Sequence, residues 1–390
     1  MSVLFIGGVF AEENQKEIIE NTKGYAEFSA NIFQKKLING FKKNNQEITV
    51  ISAPFIGSYP NRYKRMSFRG FKRKQKDFEY VNFNNIWGFR NFSRAKALKK
   101  RIKKLIFKDG KEFNLIVIYS AHEPFLEAGV YAKSILPNSK ICFVVPDLPQ
   151  YMNLEKNKTK IYDVLKKYDI KKMEKLTENV DSFVVLTEKM KEPLHIGNRR
   201  YMVVEGIIDE LPAKKPKTVD GLKNIVYTGK LNFAFGIEAL VEAFKKLDDT
   251  DCRLILCGDG DAKSYVIDEA AKDRRIEYKG QISPEQAKEI TEAATVLVNP
   301  RSNSGEYTKY SFPSKNIEYL LSGRTVVAYM LDGMPKIYSN FIEPIQDEQS
   351  LTETLRIACS KDNSEKYRLF LDYAERNLVA KNVVKNILNF

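Results

Sequence analysis

Thr295–Met330 reads TVLVNPRSNSGEYTKYSFPSKNIEYLLSGRTVVAYM, and the order of its apolar runs decides the fold. TVLVNP and TVVAYM are short apolar runs of the kind that form buried strands. Between them, Tyr310–Gly323 (YSFPSKNIEYLLSG) places Ile317, Leu320 and Leu321 on one helical face. Pro313 suits the first turn, where a missing N–H costs nothing, and Gly323 suits the stop. Strand, helix, strand is the unit of a parallel sheet. The helix opens with Ser311, Ser314 and Lys315, and Glu318 stands one turn in. Two readings fit: a structural helix capped by side chains, or an anion site at the free N–H groups and positive dipole end.

The same alternation runs outward in both directions. Upstream lie SVLFIGG, ITVISAPF, LIVIYS, KICFVV, SFVVLT and YMVVEGI as strands, with a helix over GYAEFSANIFQKKLINGF whose Ala30, Phe33, Leu37 and Phe41 keep helical spacing. Residues 209–220, DELPAKKPKTVD, read as a linker. Beyond it NIVYTG, CRLILCG and RIEYKG precede the opening stretch. The fold class is α/β, with two doubly wound domains: residues 1–208, and residues 221–365. Residues 366–390 read as a C-terminal helix packing back on the first domain. Ligands of such sheets sit beyond the carboxyl ends of the strands. Gly7-Gly8, the turns at Gly229, Gly258–Gly260 and Gly280, and the helix start at Pro313 all fall there. Two domains facing across a cleft would join both sets of loops and favour a phosphate-bearing substrate at Ser311–Lys315.

Composition narrows the class. At 390 residues the chain has room for two cores, and it has no apolar run long enough to span a membrane. The start, MSVLFIGGVFAEENQ, lacks the basic lead of a signal peptide. The cysteines Cys142, Cys252, Cys257 and Cys359 form no CxxC pair, so neither zinc nor a disulfide framework is expected and a reducing cytoplasm fits. Residues 61–108 hold 17 basic and 2 acidic residues, a balance of +15 against +14 for the entire chain. Phe68, Phe71, Trp87, Phe89 and Phe92 are interleaved with them. Basic residues among aromatics suit nucleic acid or an anionic membrane surface. No zinc finger or RNP sequence is present, so nucleic acid is not expected.

Residues 222–332, through NIVYTGKLNFAFGIEALVEAF, RLILCGDGD, RIEYKGQIS and VLVNPRSNSGEYTKYSFPSKNIEYLLSGRTVVAYM, resemble the donor-binding half of a family 4 glycosyltransferase with the GT-B fold of two Rossmann-like domains. The first half is similar more loosely, through IGG, AHEP, PDLPQYM and SFVVLTEKMKE. The resemblance implies retaining transfer of a sugar from a nucleoside diphosphate donor without a bound metal or other cofactor. It implies that Glu318 accepts from two ribose hydroxyls and that Gln281 and Ile282 read the base through main-chain groups. The physical reading agrees on the diphosphate. The N–H groups at Ser314 and Lys315, with the Lys315 and Lys230 ammonium groups, can stabilise the departing anion. Donor contacts are accordingly expected from Gly7, Gly8, Gly229, Gly258, Gln281, Ile282, Tyr310, Ser311, Phe312, Pro313, Ser314, Lys315 and Glu318.

The departures are specific. Lys230 occupies the slot of a family arginine, but Phe235 stands where its partner lysine would be. A family glutamate eight positions before Glu318 is here Tyr310, with Glu306 four residues earlier; either reaches the donor sugar. His122, in SAHEP, follows a strand directly and matches an acceptor-side histidine of members that act on lipid acceptors. Asp147, in VPDLP, contacts the acceptor or shapes a turn; His195 reads as structural. Asp259–Asp261 (DGD) reads as a turn rather than a metal motif. With His122, Lys230, Lys315 and Glu306 as catalytic groups, the expected function is transfer from a UDP-linked sugar to a membrane-associated glycan or glycolipid in cell-surface polysaccharide synthesis. The protein would work at the cytoplasmic face of the plasma membrane, held there by residues 61–108. An epimerase of the same architecture and a nucleic-acid-binding protein are the alternatives.

Overall fold

The computed structural model describes residues 1–24, 28–71, 78–148, 160–213, 221–303 and 305–390, with backbone alone for 160–167. Two units result: Met1–Asp209 with Leu378–Phe390, and Glu210–Asn377.

The first unit contains β1 (Ser2–Gly7), β2 (Glu47–Ser52), β3 (Ser67–Phe68), β4 (Phe78–Tyr80), β5 (Phe83–Asn84), β6 (Leu115–Tyr119), β7 (Lys140–Val145), β8 (Ser182–Val185) and β9 (Arg200–Val203). Its helices include α1 (Gln15–Asn21), α2 (Ser29–Lys43), α3 (Arg90–Phe107), α4 (Glu123–Ile135) and α5 (Lys160–Thr177). Seven strands pair in the order β4-β2-β1-β6-β7-β8-β9, every pair parallel. The central strands are apolar from end to end because helices cover both faces of a parallel sheet. Strand order reverses between β1 and β6, so the crevice that such sheets offer to ligands lies where Gly7-Gly8 and Ser120–His122 leave the sheet.

The basic segment is not one surface. Phe68 and Phe71 are buried with Tyr80 and Phe83 in an aromatic cluster around the small β3-β5 sheet. Trp87, Phe89 and Phe92 are exposed. Arg94 is fully buried. Burial divides these residues because α3 turns Arg94, Ala95, Leu98, Ile102 and Leu105 toward the core. Its opposite side shows Phe92, Lys96, Lys100, Lys103 and Phe107, a stripe at three- and four-residue spacing.

The second unit contains β10 (Lys223–Thr228), β11 (Cys252–Cys257), β12 (Ile276–Gly280), β13 (Val296–Asn299), β14 (Thr325–Tyr329) and β15 (Glu343–Ile345). Its helices are α6 (Ile237–Lys245), α7 (Lys263–Lys272), α8 (Pro284–Glu292), α9 (Ser314–Leu321), α10 (Leu351–Ala358) and α11 (Ser364–Asn377). The all-parallel order is β12-β11-β10-β13-β14-β15, which reverses between β10 and β13. The apolar stripe of α6, Ile237, Leu240, Val241 and Phe244, closes over this sheet.

Residues 366–390, expected as one helix, form parts of two. After α11 the chain pairs with the first unit, where Ile208 N donates to Leu378 O (2.9 Å) and Ala380 N to Ile208 O (2.8 Å). That bridge holds Val379 extended and breaks the helix. The following α12 (Ala380–Leu388) shares the apolar core of α2 through Val383, Val384 and Ile387. Of the expected linker, 214–220 lie outside the described residues.

Candidate functional site

In the second unit the site is built at the reversal between β10 and β13. Three glycine turns close the adjoining strands: Gly229 N donates to Cys257 O (2.9 Å) and Gly258 N to Gly280 O (2.8 Å). Gly258 has φ +136°, and a Cβ there would lie 1.7 Å from Gly229 O. No side chain fits, so the two glycine turns pack backbone against backbone.

From β13 the chain passes through Pro300 and Arg301 to the 3₁₀ turn Glu306–Tyr310 and then α9. Pro313, expected inside the first turn, is instead the N-cap, with ψ 85° and no side-chain cap bond. No side chain caps the helix, because a proline at the N-cap has no acceptor to offer; Ser311 Oγ instead accepts from Arg301 Nη2 (3.2 Å). The N-terminus of α9 is therefore open, and Ser314 and Lys315 stand at it. A buried Asn299 Nδ2 to Asn316 Oδ1 bond (2.7 Å) aligns the helix with β13. Tyr319, also buried, accepts from Thr228 N (2.9 Å) and ties the helix to the end of β10. Lys315 Nζ donates to Thr228 Oγ1 (3.5 Å) and pairs with Glu318 (3.3 Å). The ammonium thus lies over the carboxyl end of β10.

Glu318 is largely exposed and has only that lysine as an ion-pair partner among the described residues. Lys230 follows Gly229, is exposed, and has no carboxylate partner among the described residues. Its carbonyl accepts from Tyr227 (2.8 Å). Glu306 is exposed beside Lys309 (4.0 Å), while Tyr310 is half-buried at the end of the same turn. Phe312 packs on Tyr338 (4.9 Å between rings) and anchors the approach to Pro313. Gln281 and Ile282 leave β12 just before Ser283, whose capping box starts α8. Asp261 Oδ1 accepts from Phe233 N (2.9 Å), which gives that aspartate a structural partner. Among the described residues no group of three or more His, Cys, Asp or Glu is placed to hold a metal ion.

In the first unit Gly7 and Gly8 are buried, the second with its N–H donated to Gln34 Oε1 (2.9 Å) and its open side against Phe55. The structure gives these glycines a packing role. His122 caps α4 and meets Phe55 and Phe125. Arg94 Nη1 lies 3.1 Å from His122 Nε2. A guanidinium only donates, so Nε2 accepts and Nδ1 keeps the proton. Burial, then the charges of Arg94 and Arg90, push the imidazole well below its ordinary pKa. Next to it, burial raises Glu123 to about 7, while Glu127 falls to about 2 beside Glu123, Lys172 and Lys99.

Sequence reasoning missed Arg94, Arg301, Thr228 and Tyr319. A charged residue directly after the strand-ending Pro300 was a signal for Arg301; nothing local marks Arg94 among so many basic neighbours.

Residues 222–360 match the family described as glycosyl transferases group 1. An uncharacterized glycosyltransferase of Methanocaldococcus jannaschii is 25% identical over 130 residues, so the match spans only 32% of either protein. The lipopolysaccharide outer core galactosyltransferase WaaB, in its apo form, has a similar structure: TM-score 0.63, 16% identity, 100% of this chain and 99% of that one. HepE of Anabaena, in complex with UDP, gives TM-score 0.58 and 13% identity over 100% of both chains. The fold is of the GT-B class, two Rossmann-like α/β units, and the stretch that matches the group 1 glycosyl transferases lies within the second.

Proposed function

We propose that the protein is a retaining glycosyltransferase that moves a sugar from a nucleoside diphosphate donor, UDP-linked, to a membrane-associated glycan or glycolipid. One observation carries the reading: the open N-terminus of α9, with Lys315 over the end of β10, inside the stretch that matches group 1 glycosyl transferases. Uncapped N–H groups and two lysines there form a preorganised cradle for a diphosphate. The acceptor oxygen bonds the anomeric carbon as the carbon–oxygen bond to the diphosphate breaks. The electron pair of that bond stays on the diphosphate, and the acceptor proton passes to a departing phosphate oxygen on the same face. Lys230 and Lys315 offset the charge, Glu318 holds the ribose, and Glu306 or Tyr310 contacts the sugar. His122, neutral with Nδ1–H free to donate, orients the acceptor. The stripe on α3 holds the protein on the anionic inner face of the membrane, two phenylalanines bracketing three lysines.

Slow hydrolysis across a panel of nucleoside diphosphate sugars tests this reading. Release of UDP from one of them is expected; conversion to an isomerised nucleotide sugar without release would identify an epimerase instead.

A further inference from the structure

We infer that Arg301 is a diphosphate-binding residue of this site, taking the place left without a cation by Phe235. The inference rests on the donor-site reading above. The Arg301 guanidinium lies 5.6 Å from the Phe235 ring centroid and 5.2 Å from that of Tyr307. The loop bearing Phe235 is fixed there: Gly236 has φ +79°, and a Cβ on it would meet Pro300 O at 2.3 Å. Arg301 therefore presents its charge where the side chain of residue 235 emerges. Its position in the topology is equally specific. Lys230 follows β10 and Arg301 follows β13, so two cations flank the strand reversal that receives ligands in such sheets.

The electrostatics demand an anion. Arg301 is half-buried, has no carboxylate partner among the described residues, and its Nε is buried with no hydrogen-bond partner. The protein partner it has is a neutral hydroxyl, Ser311 Oγ. Leaving a buried donor such as this Nε unpaired is costly, and a guanidinium matches phosphate oxygens bidentately. The two aromatic rings fix its plane and screen it from competing water. A nucleoside diphosphate supplies the missing counter-charge.

The test is calorimetric binding of UDP and of uridine to the full chain. Arg301→Gln should weaken UDP by about 10–100-fold, the usual worth of a hydrogen bond to a charged group, while leaving uridine unchanged. Arg301→Lys should retain most of the preference for UDP over uridine. Adding Phe235→Lys to Arg301→Gln should restore it, because the ammonium then enters from the neighbouring loop. If Arg301→Gln matches wild type for UDP, or if the Gln and Lys variants lose UDP and uridine alike, Arg301 serves packing and the inference fails. A wild type that binds no nucleoside diphosphate sinks the donor-site reading and this inference together.

Discussion

A single buried arginine limits what His122 can do. With Nε2 taken by Arg94, the ring is a donor through Nδ1 and not a base at neutral pH, which is why the role we propose for it is to orient the acceptor. Its neighbour Glu123 is the group that titrates near neutrality. Its folded pKa, raised by burial to about 7, exceeds the ordinary value of 4.5, so the folded state holds the proton more tightly than the unfolded chain. The associated stability is complete below pH 4.5 and is lost as pH rises through 7. Glu127 has the opposite sign: its depressed pKa gives stability that is lost only as pH falls from 4.5 through about 2, outside this window. Thermal melts from pH 5 to pH 8 should therefore show wild type losing several degrees relative to Glu123→Gln. Parallel curves would contradict the buried, proton-holding carboxyl. None of this was legible locally. Whether Arg94 or Glu123 faces water depends on α3 and α4 packing on Pro54, Phe83 and Lys172, partners far away in sequence.

Among the elements, those that carry their own apolar pattern were legible and those defined by pairing were not. β1, β6 and β13 are built on continuous apolar runs, β10 has one at Ile225–Tyr227, and α6 shows its buried face in its spacing. β4 and β15 are three residues long and exist through one neighbouring strand each, so no local period announces them. The start of α9 was legible to within one residue, but its lack of a cap was not, because that depends on Pro313 falling at the N-cap rather than inside the first turn. The basic segment was legible as charge and illegible as surface. Within it, Lys72, Arg73, Lys74 and Lys76 lie outside the described residues. The exposed face of α3 offers a defined alternative, with Lys96, Lys100, Lys103 and Lys104 unpaired among the described residues. Each contact with an anionic leaflet contributes about 1 kcal/mol, and screening confines it to about 8 Å in physiological salt. Changing these four lysines to glutamine should release the protein from anionic liposomes while sparing transfer to a short, lipid-free acceptor. Co-sedimentation at two salt concentrations reads it out, and equal binding of wild type to neutral and anionic vesicles would refute electrostatic docking.

At the scale of the molecule, each unit reverses its strand order once, and residues we propose as functional lie at each reversal. His122 leaves the first sheet at its reversal; Lys230 and Arg301 leave the second at its own, with α9 just beyond. We propose that the second unit's own cations neutralise the leaving group, so that divalent metal would be dispensable. The most direct measurement is turnover of the active nucleoside diphosphate sugar in EDTA, for wild type, Lys315→Ala and Glu318→Ala, with folding checked by circular dichroism. EDTA should leave wild type unaffected, and each variant should fold but slow by about 10²–10³, the usual cost of removing one group that stabilises the transition state. Near-normal turnover in both folded variants, or loss of wild-type activity in EDTA restored by magnesium or manganese, would contradict it.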